Sequence, residues 1–145
     1  MATFVKFNKF LKQMGEGAYH LNTDTLKFAL TNTAPTGATD TVFLPGSLHP
    51  PPAATNGYPS GGAPATGATW GEVGGVATMS DATDITFTAS GGDIGPFRYI
   101  ILYDDTPITP LVDPLIGYWD YGVNITLLNG ETFTADVTTE LFHIT

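Results

Sequence analysis

A chain of 145 residues with 42% hydrophobic side chains is the size of one domain and can fill one core, which excludes a fully disordered polymer. Charged residues make up only 13%, against a usual figure of about 25%, while 17 glycines and 11 prolines point to turn-rich β structure. A net charge of −9 has the wrong sign for attraction to phosphate backbones or anionic lipid, so neither nucleic acid nor membrane partners are expected; the lack of cysteine removes disulfides, thiolate metal sites and cysteine nucleophiles.

At about 100° per residue, Phe4, Phe7, Phe10, Leu11 and Met14 fall within an arc of about 120°, with Lys6, Lys9 and Lys12 opposite. This pattern predicts an amphipathic helix over residues 3–14, with Thr3 as a cap and Gly15 and Gly17 as the stop. The apolar stripe is narrow enough to lie across a sheet or against another subunit, plain core packing being the alternative. The interleaved lysines do not resemble a signal peptide, and no stretch approaches the roughly 18 apolar residues of a membrane span. Charge is polarised along the chain. Residues 1–27 sum to +2, whereas the remainder, with Arg98 as its single strong base, sums to −11. The N-terminal element therefore suits an acidic partner surface, including that of a second copy.

Leu26, Phe28 and Leu30 alternate with Lys27, Ala29 and Thr31, predicting a half-buried first strand over 25–31. Residues 32–67 are rich in Thr, Ala, Pro and Gly, so a long loop is expected, and Pro50, Pro51 and Pro52 favour an extended segment. That segment reads either as an arm laid on a neighbour or as an ordinary surface loop. Beyond it, short strands are expected near 69–79, 84–89, 97–103, 115–121, 124–128, 132–137 and 141–144. The strand over 97–103 carries large groups on both faces and should be central. Leu128-Asn129-Gly130-Glu131 predicts a type I′ hairpin between its flanking strands, and Ser90-Gly91-Gly92-Asp93 a second turn. The expected fold is mainly β: one domain over 1–145, an antiparallel β-sandwich or jelly-roll-like arrangement, with one N-terminal amphipathic helix and its β-rich part over 68–145.

Signals for chemistry are weak. No glycine-rich stretch is followed by a helical pattern, so nucleotide binding is not expected. His20, His49 and His143 are isolated and read as satisfied surface histidines rather than metal ligands. Asp104, Asp105 and Asp113 flank one loop and supply oxygen atoms for a hard cation, but without an EF-hand spacing; a solvated acidic turn is the plainer reading. No GxSxG elbow occurs. No catalytic residue, cofactor or metal site is assigned, and an enzyme is not expected. In Tyr118-Trp119-Asp120-Tyr121, Trp119 and Tyr121 share one strand face and Tyr118 takes the other, which suits core packing, a subunit contact or stacking on a sugar.

Four stretches, LNTDTLKFALTNTAP (21–35), ITFTASGGDIGPFRYIILYDDT (85–106), PLIGYWDYG (114–122) and ITLLNGETFTAD (125–136), together resemble a family of small virion structural proteins of tailed bacteriophages. The resemblance implies a particle component without enzymatic role, made in the host cytoplasm and carried in the virion. The favoured expectation is a capsid decoration, or cement, protein. It would bind the major capsid protein on the outside of the assembled head and self-associate as a homo-oligomer, a trimer being one option. Expected contact residues are Lys6, Lys9 and Lys12 in the helix, Pro50, Pro51 and Pro52 in the arm, and Trp119. A tail or fibre module that binds a host-surface glycan through Tyr118, Trp119 or Tyr121 is the alternative.

Overall fold

Large apolar groups on both sides of one strand demand cover on both sides, and the architecture follows from that need. The structure, a computed structural model, describes residues 2–80, 83–106, 110–136 and 140–145. Among these, one helix and ten strands follow in the order β1 (Phe4–Lys6), α1 (Asn8–Gly15), β2 (Leu26–Thr31), β3 (Ala63–Pro64), β4 (Thr69–Val73), β5 (Val76–Ser80), β6 (Ile85–Thr88), β7 (Ile94–Asp104), β8 (Leu115–Leu127), β9 (Thr132–Ala135) and β10 (Phe142–Ile144). A five-stranded sheet runs β1-β8-β7-β2-β3, a three-stranded sheet β10-β5-β4, and β6 pairs with β9. The pairings are antiparallel, and the fold is mainly β and sandwich-like, with the helix near the N-terminus.

The central strand β7 lies between β2 and β8, as its two-sided apolar pattern requires. On one face of the large sheet, Phe28, Leu30, Ile100 and Leu102 pack with Met79, Phe87 and Phe142 of the smaller sheets and with Phe10 of the helix. The opposite face carries a second cluster, in which Ala29, Ile101, Tyr103 and Leu115 meet Phe7 and Phe43. Fully burying a side chain such as Phe10 contributes about 1.5–3 kcal/mol.

Several expectations change. Residues 4–6 are a strand, not the first turn of a helix, because their backbone pairs with β8 in the register Phe4↔Trp119, Val5↔Tyr118 and Lys6↔Gly117. A spacing of three puts Phe4 and Phe7 on one face of a helix but on opposite faces of an extended chain, and here they enter different clusters. The helix therefore starts at Asn8, with Phe7 rather than Thr3 at its N-cap and no side-chain cap. Its end is as expected: Gly17 has φ +81°, its N–H donates to Met14 O at 3.1 Å, and Ala18 N–H donates to Gln13 O at 3.0 Å, the Schellman pattern. Strand β2 is buried on both faces rather than one, because the long connection covers the side expected to be wet.

Over residues 32–62 that connection is the expected long loop, with only the isolated bridge Val42↔Pro114, but it is not a bare one. It folds back on its own sheet, with Phe43 and Tyr58 each 3% exposed, His49 0% exposed, and Pro50 O accepting the Thr31 hydroxyl at 3.0 Å. The expected strand over 69–79 is a hairpin, β4–β5, whose Gly74 and Gly75 both have positive φ (63° and 86°), as a two-residue type I′ turn requires. Expected strands 115–121 and 124–128 are one strand, β8, with an irregular register opposite Phe97–Tyr99 where Gly122 bends it. The turn at 128–131 forms, Glu131 N–H donating to Leu128 O at 2.8 Å, but Gly130 alone has positive φ, so it is of type II pattern. Its flanking strands do not pair with each other: β8 stays with β7 and β9 crosses to β6. The end of the strand expected over 132–137 and the loop 107–109 lie outside the described residues.

Candidate functional site

The basic N-terminal element is held from beneath. Phe7 and Phe10 are 0% exposed, and the Phe4 ring packs against Trp119 at 5.0 Å and Phe142 at 5.1 Å. These anchors leave Lys6, Lys9 and Lys12 exposed. Lys12 is paired with Glu16 one turn on, at the negative end of the helix. Lys6 and Lys9 form no ion pair among the described residues. The three lysines thus share neither one element nor one role: Lys6 ends β1, Lys9 and Lys12 lie on α1, and Lys12 already has a partner.

The triple proline belongs to the long connection, beside Phe43 and Tyr103 of the second cluster. Pro50 is exposed, whereas Pro51 and Pro52 are half-buried and wall a cleft of about 290 Å³ together with Lys27, Tyr103, Asp105 and Asp113. Lys27 and Asp105 pair at 2.9 Å within it. Partial burial and the neighbouring Asp105 raise the Asp113 carboxyl above its ordinary range, with Lys27 opposing.

Trp119 is half-buried and faces inward, 5.9 Å from the Phe28 ring, while Tyr118 turns to the other sheet face beside Phe7. Trp119 and Tyr121 line a small pocket of about 30 Å³ with Phe28, Ile100 and Ala135, room for about one water. Between them along β8, Asp120 accepts two bonds from Arg98, at 2.7 and 2.9 Å. Those bonds, with a further one from Gly122 N–H, hold the Asp120 carboxyl below the usual range.

The three carboxylates considered for a cation do not come together as a ligand group among the described residues. Asp105 is taken by Lys27 and Asp104 is 0% exposed. The histidines differ from one another. His20 and His143 are exposed, beside Asp24 and Glu140, but His49 is buried, contrary to the expectation of a surface residue. Leu44 N–H donates to His49 Nδ1 at 3.1 Å, which leaves Nε2 as the protonated nitrogen facing Asp40 Oδ2 at 3.1 Å. Asp40 also accepts Thr36 N–H at 2.7 Å, so His49 is the rivet of the long connection.

Two further features had no sequence signal: the contact of Asp24 with Asp104, and the interlock of turns at one end of the molecule. There Asn129 N–H donates to Asp93 Oδ1 at 3.0 Å, Gly91 N–H to Asn129 Oδ1 at 2.9 Å, and Asn56 Nδ2 to Asp93 O at 3.0 Å. Compared with protein-family models, with curated proteins and with solved structures, the chain matches none.

Proposed function

We propose that this chain is a structural component of a tailed-phage particle, and specifically a decoration protein that binds the outside of the assembled head and bridges its major capsid subunits. The observation that carries the reading is the state of Lys6 and Lys9: exposed, without an acid partner among the described residues, and rooted through Phe7 and Phe10 in the core of an otherwise acidic chain. Charges fixed on a packed element lose little freedom when they meet an acidic patch, so more of their attraction survives as affinity. Self-association would let several copies engage neighbouring shell subunits together, which multiplies modest contacts through effective concentration. Pro50 and the exposed part of Trp119 are secondary contacts in this reading.

Co-sedimentation with mature, empty shells of the parent phage tests it. Binding should saturate at a fixed ratio to shell subunits, weaken with salt, and weaken about tenfold or more when Lys6→Glu and Lys9→Glu are combined. Charge reversal is the informative change, because deleting residues 1–14 would also remove Phe7 and Phe10 from the core. Failure of the folded wild-type chain to bind shells would reject the reading. It would turn attention to a tail or fibre position, where glycan binding lost in Trp119→Ala is the next measurement.

A further inference from the structure

Asp104 closes the central strand and is 0% exposed. Its Oδ1 accepts Thr106 N–H at 2.8 Å. Its Oδ2 is buried, and no N–H or O–H donor among the described residues reaches it. Within hydrogen-bonding distance lies the carboxyl group of Asp24. The Asp24 side chain is itself only 5% exposed; its Oδ2 accepts His20 N–H at 2.5 Å, and its Oδ1 stands 3.9 Å from His20 Nδ1. Two ionised carboxylates in such contact, away from water, repel strongly, whereas one proton between them turns the contact into a charge-assisted O–H···O bond.

We propose that Asp24 and Asp104 hold one proton between them and act as a proton-dependent latch, fastening the helix-to-β2 connection to the C-terminal end of β7. The neighbouring contacts tie the same two segments: Thr25 N–H donates to the Thr106 hydroxyl and Asp105 N–H donates to Thr25 O, each at 2.8 Å. Among the described residues no lysine or arginine forms an ion pair with either carboxyl, and Lys27, on the adjoining strand, is engaged by Asp105. The exposed His20 faces Asp24 from the connection itself, and the Tyr19 hydroxyl, which donates to Leu115 O at 2.7 Å, is a neutral neighbour whose ionisation burial and Asp104 oppose. Burial first, and then the contact with Asp24, keep the Asp104 carboxyl well above the usual carboxylate range.

The consequence has a definite sign. The folded chain keeps a proton that an unfolded Asp releases near about pH 4, so the latch contributes fully below that point and is lost as the pH rises through the raised value of Asp104. The latch is independent of the shell-binding reading. It is tested by thermal unfolding of the full chain, followed by circular dichroism, between about pH 5 and about pH 9 for the wild type, Asp104→Asn and Asp24→Asn. In either variant an amide N–H takes the place of the shared proton. The expected result is a Tm that falls with rising pH in the wild type and falls distinctly less in both variants. A slope unchanged by both substitutions would overturn the latch. Carbon-13 titration of the wild-type Asp carboxyls gives a second reading that needs no variant: one of the two should remain protonated at about pH 6, and two ionised carboxylates there would overturn the proposal.

Discussion

The ring of Phe4 lies directly over Gly117, so close that a Cβ built on Gly117 would stand 2.1 Å from the ring and 2.9 Å from Val5 O. Glycine at this position is what lets β1 dock on β8. Gly117→Ala should therefore push β1 away and cost about 1–3 kcal/mol in urea unfolding. Adding Phe4→Ala should recover part of that loss, because the two changes share one contact; strictly additive losses would place the strain elsewhere.

The short helix makes a second test. Phe10 is 0% exposed and Leu11 39% exposed, although both lie on the apolar arc of the sequence. Phe10→Ala should cost about 3–5 kcal/mol and Leu11→Ala no more than about 0.5–1 kcal/mol, measured by denaturant unfolding. Equal losses would mean that the helix is rotated from the orientation described.

Removing the rivet of the long connection should loosen it without dissolving the sheets. His49→Ala leaves Leu44 N–H and Asp40 without their buried partner and opens a gap beside Phe43, whose ring stacks on His49 at 5.8 Å. A loss of about 2–4 kcal/mol is expected. Hydrogen exchange should quicken over residues 36–49 more than in β7 and β8, whereas uniform quickening would make the connection part of the same cooperative unit as the sheets.

Tyrosine ionisation gives a pH test. Burial pushes the Tyr58 hydroxyl up to about 12, against the lowering effect of the bond its oxygen accepts from Leu30 N–H, and burial also raises Tyr19 and Tyr103. A folded-state value above the unfolded one of about 10 means stability that is present below about pH 10 and lost as the pH climbs through the raised values. Absorbance titration of the native chain should thus show fewer than its six tyrosines ionised at about pH 11, with the remainder appearing on unfolding. Six ionising together in the native chain would contradict the burial.

The elements that were legible in the sequence are those whose pattern has one physical solution. The two-sided strand around Ile100 had to be central, and Gly17 had to end a helix. Phe4 was misread because a helix and a strand both place Phe4 and Phe7 on useful faces; only the hydrogen-bond partners on β8 distinguish them. Asn129-Gly130 marked a turn correctly, yet a turn does not dictate that its two arms pair, and here they enter different sheets. At the candidate site, exposure of the lysines followed from their spacing. The burial of His49 and the meeting of Asp24 with Asp104, 80 positions apart, depend on long-range packing that periodicity does not encode.

The proline-rich connection closes over the second face of the five-stranded sheet, so β2 and the end of β7 are covered on both sides. Loosening it would uncover Ala29, Ile101 and Tyr103 without parting the strands that carry them.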